Sequence, residues 1–386
     1  ISRKTMLLDA DLHIHSPYSM ATSPSMTPES LLAAARMKGL DVLGSGDALH
    51  PAWRAAWRDH PEDGSGIVVI PTAEVEDRHR VHHLILAESF DQFAELAEVF
   101  APHSRNVATA GRPHVDLEGD AIASAVHDVG GLIGPAHAFT PWTSLYARFD
   151  TLAGCYGSER IDFLELGLSA DTSYGAGIPD LADVPFISSS DAHSATAVRL
   201  GREFTRLDAA GAPGVRGVLD AVAGARIAMN VGFFPEEGKY NRTACIRCYR
   251  HYSCEEAEAL GWRCPEDGKQ IKKGVADRAA ELAAAAPLQC RPPYLHIIPL
   301  GEIIARVLGT ASPATRRCGA LYEELLATFG DEITILTTAP TRDIRAIHPG
   351  VGDAIEALRI GRITLHPGGG GRYGSFSFDE PVAGNR

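Results

Sequence analysis

The amino-acid sequence predicts an α/β fold, with parallel strands and alternating helices arranged as a barrel. Through about residue 233, short apolar runs alternate with helix-like stretches, which is typical of repeated strand–helix units. In addition, His, Asp and Glu side chains recur at or just after the apolar runs. Barrel enzymes carry their reactive side chains at the ends of the strands. These residues therefore define a candidate site.

The predicted elements follow in order along this part of the chain. Strands are predicted at Thr5–Leu8, Asp41–Gly44, Gly66–Pro71, His82–Leu86, Gly131–Ile133, Asp162–Glu165 and Pro185–Ser188. Helices are predicted at Pro28–Lys38, Phe90–Phe100, Asp120–Val129 and Val215–Ala223. The first helix has clear limits, because Thr27 can cap it, Pro28 fits its first position and Gly39 ends it.

Composition limits the class of protein. The chain has 386 residues, of which 45% are hydrophobic and 22% charged, enough for two or three domains with a sizeable core. No apolar run approaches the ~18–20 residues of a membrane span, and the first five residues lack the apolar core of a signal peptide. We therefore expect a cytosolic protein. The formal charge of −13 excludes a cation-coated surface, although a local basic patch can still bind nucleic acid.

The central motif is the sequence DLHIHS at residues 11–16. Side chains at positions i and i+2 of a strand point to the same face. His13 and His15 can therefore hold one metal ion together, while Leu12 and Ile14 face a core. Asp11 can orient His13 from behind. A lone His-x-His pair is a weak signal, so the assignment depends on similar residues further along the chain.

Similar residues do recur, and they suit Zn²⁺, Mn²⁺ or Fe²⁺. His82 and His83 are adjacent, so only one can face the site, and Asp47 in a Gly-Ser-Gly-Asp stretch can instead be a turn residue. A bridging carboxylate such as Glu74 can join two ions into a clamp for phosphodiester cleavage. The candidate ligands are His13, His15, Asp47, Glu74, His82, His83, His137, Asp191 and His193.

Residues 234–280 differ from the rest of the chain. Between Lys239 and Arg278 there are nine Lys and Arg against six acids. Cys245, Cys248 and Cys264 have the spacing of a small structural zinc module, with Cys254 expected as the fourth ligand and Asp267 as the alternative. Four aromatic residues accompany the cations, as a DNA-gripping module requires; the alternative is a solvated charged face. These four are Tyr240, Tyr249, Tyr252 and Trp262.

The last part, residues 281–386, is predicted to be a helical C-terminal domain. Its clearest helices are Pro299–Leu308 and Ala314–Phe329. A Gly-rich segment at residues 367–374 follows, and it can either contact phosphates through backbone N–H groups or serve as a linker. The predicted domains are therefore residues 1–233, 234–280 and 281–386.

These motifs resemble the PHP (polymerase and histidinol phosphatase) superfamily and, within it, the endonuclease Q family. The sequences at residues 11–15 and 190–194 are similar to the first and last PHP motifs. The narrower resemblance covers most of the chain, including the cysteine segment. It is carried by residues 46–53, 80–84, 134–142 and 165–171.

The resemblance implies a distorted (β/α)₇ barrel with two or three Zn²⁺, Mn²⁺ or Mg²⁺ ions, plus one structural Zn²⁺. It implies that metal-activated water cuts DNA 5′ to deaminated bases (uracil, hypoxanthine, xanthine) and abasic sites, with Glu74, Asp191 and His193 as catalytic residues. One ion is expected at His13, His15, Glu74 and Asp191. A second is expected at Glu74, His137 and one of His82 and His83, and a third at Asp47 and His193.

The lesion pocket is expected beside the metals, in the loops at residues 139–142 and 169–171. A pocket with one donor and one acceptor would accept all three deaminated bases and reject their parents, after the nucleotide is flipped out. Stacking is expected from Trp53, Trp142 or Tyr174, any of which can instead be a core residue. The other candidate DNA contacts are Ser169, Lys272 and Lys273.

Two other functions remain open on the sequence. A PHP-type small-molecule phosphoesterase would use the same metals, but it has no need for the cysteine segment or the C-terminal region. A non-catalytic DNA-binding accessory protein would need fewer metal ligands than this chain offers.

Overall fold

The computed structural model describes residues 5–60, 66–211, 214–284 and 288–378, and its α/β architecture confirms the predicted fold class. Residues 1–4, part of the stretch used to exclude a signal peptide, lie outside these ranges. The strands are β1 (Leu7–Asp11), β2 (Val42–Gly44), β3 (Val68–Ile70), β4 (Thr72–Glu76), β5 (His82–Leu86), β6 (Leu132–Pro135), β7 (Leu164–Glu165), β8 (Phe186–Ile187), β9 (Phe204–Asp208), β10 (Ile227–Gly232), β11 (Ala244–Cys245), β12 (Ile271–Lys272), β13 (Tyr294–His296), β14 (Ile363–His366) and β15 (Ser375–Phe378).

Helices are distributed along the chain and dominate its last third. They are α1 (Pro28–Lys38), α2 (Pro51–Arg58), α3 (Phe90–Phe100), α4 (Gly119–Asp128), α5 (Leu145–Arg148), α6 (Leu152–Tyr156), α7 (Thr172–Ala176), α8 (Val215–Ala223), α9 (Cys254–Ala259), α10 (Val275–Leu282), α11 (Leu300–Leu308), α12 (Arg316–Phe329), α13 (Glu332–Thr337), α14 (Thr341–Ile347) and α15 (Pro349–Arg359). Among the described residues, no helix combines the length and the apolar character needed to cross a bilayer.

The sheets are only partly parallel. The largest has the strand order β13-β10-β9-β1-β2-β3, in which β1, β2 and β3 are parallel while β9 is antiparallel to both of its neighbours. Strands β4, β5 and β6 form an antiparallel sheet, and β7 and β8 pair in parallel. The expectation of parallel strands was therefore wrong for β4 to β6. The residues between β4 and β5 form a short turn closed by Asp77, too short for the crossover that parallel pairing needs.

Three of these sheets share one core, and this arrangement brings the strand ends together. One buried apolar cluster takes side chains from strands of the largest sheet, of the β4–β6 sheet and of the β7–β8 pair. Its members include Leu8, Val42, Leu84, Phe163, Ile187 and Leu207. The sheets therefore surround one interior and form a distorted barrel, although the described strands do not join into a single closed hydrogen-bonded ring.

The predicted limits of the first helix are confirmed. Thr27 Oγ1 accepts a hydrogen bond from Ser30 N at 3.3 Å, and Pro28 occupies the first turn. Gly39 ends the helix in the left-handed conformation (φ 92°) and donates its N–H to Ala35 O at 2.9 Å. A Cβ at this φ would be strained, which is why glycine suits the position.

The C-terminal helices pack against the barrel through a shared core. Apolar residues of α11, α12, α13 and α15 join side chains of α1, α2 and the largest sheet in one cluster. A buried ion pair crosses the contact, with Lys38 Nζ 2.7 Å from Glu332 Oε1. Glu332 also accepts from Tyr322 Oη at 2.7 Å and from Leu300 N at 3.0 Å. In addition, β13 extends the largest sheet, so residues 294–296 are part of the barrel side of the molecule.

The Gly-rich segment at residues 367–374 packs closely on the cysteine segment. Arg242 donates its N–H to Gly368 O at 3.0 Å. At Gly370, which has a φ of 65°, a Cβ would come within 2.1 Å of Cys245 O. Such close backbone approach requires glycine. The segment therefore connects β14 and β15 to the cysteine segment rather than behaving as a free linker.

Candidate metal centre and adjoining pocket

The candidate metal ligands meet where the barrel strands end. His13 and His15 follow β1, Glu74 lies in β4, and His82 begins β5. His15 N donates to Ala192 O at 2.9 Å, and Ile14 pairs with Ala192 in an isolated parallel bridge. This pairing sets the His13/His15 motif beside the Asp191/His193 motif, so two sequence-distant pairs share one site.

The first group of ligand atoms surrounds one point. His15 Nε2 lies 3.1 Å from Asp191 Oδ1 and 3.4 Å from Glu74 Oε2. His13 Nε2 lies 3.8 Å from the same oxygens of Glu74 and Asp191. Two imidazole nitrogens and two carboxylate oxygens, all from buried or half-buried side chains, are a set that divalent transition metals prefer.

The second group uses the other oxygen of Glu74. Glu74 Oε1 lies 2.7 Å from His82 Nδ1 and 2.9 Å from His137 Nε2. Because the two oxygens of one carboxylate face two different sets of histidines, Glu74 has the geometry of a bridging ligand.

A third group lies on the solvent side of the first. His193 Nε2 is 3.4 Å from Asp191 Oδ1, and these two residues with His15 bring ligand atoms within 4.8 Å of one another. Of the residues expected at the third ion, the structure therefore places His193 at the cluster, together with Asp191.

The local polar balance fits metal binding. His13 Nε2 is buried and has no hydrogen-bond partner in the part of the chain that the structure describes, although it points at the carboxylates of the first group. An unpaired buried nitrogen is costly, and a cation at this point would satisfy it. In the nearby imidazole–carboxylate pairs, a bound metal ion would likewise replace the proton that the two groups share.

Carboxylates behind the histidines hold their rings. Both oxygens of Glu165 contact His13 Nδ1, at 2.9 and 3.0 Å, and Glu165 Oε2 also accepts from His137 N at 2.8 Å. Asp47 Oδ1 lies 3.0 Å from His15 Nδ1. A partner on the far nitrogen fixes the tautomer and the direction of a ligating histidine.

Asp47 is a correction to the predicted ligand set. Its Oδ1 is engaged by His15, and its Oδ2 accepts from Ser16 N at 2.7 Å, Ser16 Oγ at 2.5 Å and Ser19 Oγ at 2.8 Å. With both oxygens engaged, Asp47 orients His15 and is not among the ligand atoms of the first, second or third group in the described residues. Asp11 also differs from its expected role, because its oxygens accept from Ser190 N and Gly201 N, at 3.0 and 2.8 Å, instead of His13.

Of the two adjacent histidines, of which only one was expected at the site, His83 is the one outside it. It points away from the cluster, with Nε2 3.2 Å from Asp77 Oδ2 and Nδ1 2.7 Å from the Tyr156 hydroxyl. Neighbouring residues on a strand face opposite sides, so His82 turns to Glu74 while His83 packs on the other face. Both ring nitrogens of His83 are satisfied there.

Charge at the cluster is balanced by a cation that the sequence analysis did not identify. Arg112 Nη1 lies 2.9 Å from Glu74 Oε2. Burial alone would raise the pKa of Glu74, but His82 and Arg112 beside it hold that pKa well below its usual range. Glu74 is therefore ionised and available as a ligand, and Arg112 brings a fixed positive charge to the edge of the site.

Several residues of the metal centre have strained backbone conformations. Asp47, His137 and Asp191 all have positive φ, at 47°, 32° and 47°. Such conformations cost on the order of 1–3 kcal/mol each for residues other than glycine, and they cluster at functional sites. At Gly167, next to this strained backbone, a Cβ would come within 2.6 Å of His137 Cβ.

A cavity of about 460 Å³ opens beside the metal centre. Its lining includes Arg112, His137 and Asp191 from the cluster, and Trp142 and Tyr240 from farther out. This volume is within the usual range for small-ligand sites, so it can take one nucleotide unit.

Trp142 joins this cavity to the cysteine segment. Its side chain is 41% exposed, its ring centroid is 6.0 Å from that of Tyr240, and Lys272 Nζ lies 4.0 Å from its ring centre. Burial, followed by repulsion from Arg148, lowers the pKa of Lys272. In the described residues, Lys272 forms no ion pair, so its charge is available beside Trp142, where Lys272 lines a separate cavity of about 260 Å³.

The other predicted DNA contacts are placed differently. Trp53 is buried and donates its indole N–H to Ser45 O at 2.9 Å, so it is a core residue. The Tyr174 hydroxyl accepts from Asn241 at 2.7 Å, and Tyr174 is not part of the cavity lining. Ser169 is buried against Gly238, although its neighbours Gly167 and Leu168 line the cavity. Lys273 Nζ pairs with Glu281 at 2.7 Å.

The cysteine segment contains a second set of ligand atoms. Cys248 Sγ and Cys264 Sγ are 3.6 Å apart, and Cys245 Sγ is 3.4 Å from Asp267 Oδ1. Four sulfur ligands of a tetrahedral zinc ion lie about 3.8 Å apart, so this spacing fits zinc. The expected fourth ligand is corrected, because Asp267 completes the set while Cys254 begins α9 outside it.

The site thus contains residues that sequence reasoning missed. Glu165 and Arg112 carry no recognisable spacing relative to the histidines. Glu76 lies two residues after Glu74 on β4, so the i, i+2 rule could have identified it, and its Oε2 lies 3.2 Å from His82 Nε2. The position of Glu165 at a strand end was a usable signal, as it was for the predicted ligands. Arg112 lies in an irregular loop and offered none.

Comparison with known proteins places this geometry in a family. Residues 299–362 match the family model of the MJ0043 C-terminal domain. The uncharacterized protein MJ0043 of Methanocaldococcus jannaschii is 42% identical over 248 residues, which cover 63% of this chain but only 31% of that relative's length. The uncharacterized protein YqxK of Bacillus subtilis is 29% identical over 398 residues, covering 95% of this chain and 98% of YqxK.

Two crystal structures are similar along nearly the whole chain. The lesion-specific endonuclease PfuEndoQ from Pyrococcus furiosus is 42% identical with a TM-score of 0.93, covering 99% of this chain and 98% of its own. Endonuclease Q in complex with a 27-mer duplex substrate, with an abasic lesion at the active site, is 42% identical with a TM-score of 0.92, covering 97% of both chains.

The fold and the clustered imidazole and carboxylate groups define a metal-dependent hydrolase. Given the identity and coverage of the solved structures, the chain belongs to the endonuclease Q family.

Proposed function

We propose that this protein is a DNA-repair endonuclease that cuts the phosphodiester on the 5′ side of abasic sites and of deaminated bases, namely uracil, hypoxanthine and xanthine. One observation carries the proposal: the bridged cluster around Glu74 opens directly into a nucleotide-sized cavity. The family supports it, because the similar endonuclease Q structure holds a duplex with an abasic lesion at the active site.

The proposed catalytic ions are two or three Zn²⁺, Mn²⁺ or Mg²⁺. His13, His15, Glu74 and Asp191 would hold the first, and Glu74, His82 and His137 the second. His193, with Asp191, would hold a third. His193 is one-third exposed, and it is the one residue that the third group adds to side chains already used by the first, so the third site is proposed to be the weakest.

When bound, such ions lower the pKa of water and neutralise the charge of the phosphate. The chain's own residues arrange the reaction around them. Glu74 and Asp191 keep their ligand oxygens in fixed positions, Glu165 and Asp47 fix the rings of His13 and His15, and Arg112 offers a guanidinium to a phosphate oxygen. We propose Glu74, Asp191 and His193 as the catalytic residues.

Recognition of the lesion is proposed at the outer part of the cavity. Trp142 offers a partly exposed aromatic face, and Lys272 lies over that face. A flipped nucleotide would stack on the face of Trp142 that Lys272 leaves free, with its phosphate toward the metal centre. Backbone groups of Gly167 and Leu168, which line the cavity, are proposed to read the base edge beside Ser169.

The cysteine segment is proposed to be a structural zinc module. Cys245, Cys248, Cys264 and Asp267 would hold one Zn²⁺, and the module would present Lys272 to DNA. We propose the three-part division at residues 1–233, 234–280 and 281–386 for these roles, and the cytosol as the compartment.

The test is cleavage of end-labelled duplexes that contain one uracil, one hypoxanthine, one abasic site or no lesion. Each is incubated with Mn²⁺, Mg²⁺ or Zn²⁺. We expect a nick on the 5′ side of each lesion and none in the undamaged duplex. Asp191→Ala should abolish the nick, while Asp128→Ala, which removes an exposed carboxylate at the end of α4, should retain it.

Two outcomes would contradict the proposal. The first is the absence of nicking with every metal, together with phosphate release from small phosphomonoesters. The second is equal cleavage of damaged and undamaged duplexes.

A further inference from the structure

One apolar side chain projects from the molecule at the mouth of the cavity. Met20 is 80% exposed, which is the highest exposure of any large apolar side chain among the described residues. It also lines the cavity that contains His137 and Asp191. Single exposed apolar residues are common on protein surfaces, so the case depends on how Met20 is held.

The loop that carries Met20 is fixed on both sides of it. On one side, Ser19 Oγ donates to Asp47 Oδ2 at 2.8 Å, and Asp47 in turn holds His15. On the other side, Thr22 Oγ1 lies 3.0 Å from His193 Nδ1. Met20 and Ala21 therefore form the tip of a loop. One end of this loop contacts His15 through Asp47, and the other end contacts His193.

Further contacts support the same loop. Tyr18 O accepts from Gly111 N at 3.0 Å, and the Tyr18 ring stacks on His50 with 3.7 Å between ring centres. Ala21, next to Met20, has a positive φ of 62°, a conformation that persists only where the surrounding structure enforces it. The loop therefore holds an apolar side chain out in water.

DNA chemistry gives such a projection a role. When a nucleotide leaves the duplex, the stack loses a base, and unstacking costs a few kcal/mol. Proteins that deform DNA commonly insert an apolar side chain, Met included, between base steps. Met is suited to this because its unbranched thioether adapts to irregular gaps and makes favourable contacts with aromatic rings.

We propose that Met20 inserts into the duplex and fills the space left by the nucleotide that enters the cavity. This inference rests on the proposed cleavage of DNA at flipped nucleotides and adds the residue that stabilises the flipped state. Because the loop is preformed, little conformational entropy is lost on insertion. The contacts of the loop ends with His15 (through Asp47) and with His193 also fix the position of Met20 relative to the metal centre.

The inference predicts a selective effect. In a fully paired duplex, Met20 replaces stacking that is lost on extrusion. In a duplex with the same uracil inside an unpaired bubble, that cost is largely absent already. Removing the side chain should therefore lower cleavage of the paired substrate much more than cleavage of the bubble substrate.

The experiment compares kcat/KM on these two duplexes for the unchanged protein, Met20→Ala and Met20→Leu. The paired-to-bubble ratio should fall at least about tenfold for Met20→Ala, while Met20→Leu, which keeps an apolar side chain of similar length, should restore most of it. Met37→Ala is the matched control, because Met37 is a partly exposed methionine of α1 that does not line the cavity. A 2-aminopurine placed beside the uracil reports flipping directly through its fluorescence, and Met20→Ala should reduce that signal.

The outcomes separate the two proposals. If the unchanged protein nicks neither duplex, the proposed function fails and this inference fails with it. If the unchanged protein nicks both and Met20→Ala keeps the ratio and the fluorescence signal of Met37→Ala, the insertion of Met20 is refuted while the endonuclease proposal stands.

Discussion

Glu165 is the residue whose replacement tests the metal centre most sharply. Its carboxylate is 1% exposed and contacts His13 Nδ1 with both oxygens, while one oxygen also accepts from His137 N. Glu165 thus positions His13, an expected ligand of the first ion, by contacting its ring. It positions His137, an expected ligand of the second ion, by accepting from its backbone N–H. Glu165→Gln keeps the shape of the side chain but removes its charge and one of its two acceptor oxygens.

The expected magnitude follows from this position. Loss of the hydrogen-bond partner behind a metal-bound histidine typically lowers metal affinity or activity 10–100-fold, that is, by about 1.4–2.8 kcal/mol. Because the contact is buried, charge-assisted and shared between two histidine residues, we expect Glu165→Gln to lie near the upper end, at about 100-fold weaker Mn²⁺ binding.

The assay is a Mn²⁺ titration in competition with a fluorescent chelator, followed by nicking of the uracil duplex at low and saturating Mn²⁺. Glu165→Gln should lose most activity at low Mn²⁺ and recover part of it at saturation. Glu203→Gln is the matched control, since Glu203 is equally buried but bonds to Phe233 N and the Tyr294 hydroxyl. Mn²⁺ affinity of Glu165→Gln equal to that of this control would refute the role of Glu165.

Three further predictions concern separate parts of the molecule. At saturating Mn²⁺, Arg112→Met should lower the single-turnover rate of nicking about 10²–10³-fold, and an unchanged rate would exclude a contact with the reacting phosphate. Burial raises the pKa of Glu203 from 4.5 to about 8, so the folded state keeps a proton that the unfolded chain releases. The free energy of unfolding should therefore fall by on the order of a few kcal/mol as the pH rises from about 4.5 to about 8. Denaturant titrations should show less of this fall for Glu203→Gln, and equal slopes would contradict the assignment. Finally, Asp267→Ala should weaken zinc retention while Cys254→Ser keeps one zinc per chain, measured by metal analysis after chelator dialysis; the reverse result would restore Cys254 as the ligand.

Much of the metal centre was visible in the sequence because it obeys local rules. The i, i+2 spacing of His13 and His15 marked one candidate pair of ligands, and the same spacing at Asp191 and His193 marked a second one. The structure brings the two pairs together, because His15 Nε2 lies beside both Glu74 and Asp191. Helix α1 was likewise predicted to the residue, since its capping signals are local.

Where two residues were candidates for one ligand position, only the tertiary structure could distinguish them. The sequence left His82 and His83 equivalent, and the pleat of β5 turns one to Glu74 and the other to Asp77. The choice between Cys254 and Asp267 as the fourth zinc ligand depended on how the cysteine segment folds. Cys254 begins a helix, whereas Asp267 lies in the turn after Cys264, with its Oδ1 3.4 Å from Cys245 Sγ.

The sequence by itself determined the fold class, the family resemblance and most of the ligand-bearing positions, because these depend on spacing along strands and on motifs that are contiguous in the chain. Only the tertiary structure decided the partners of those ligands. Glu165 lies 152 residues from His13, and Arg112 lies 38 residues from Glu74, so no local pattern connects them. Whether Asp47 meets a metal or a histidine depends on where its carboxylate oxygens find donors, and packing sets those contacts.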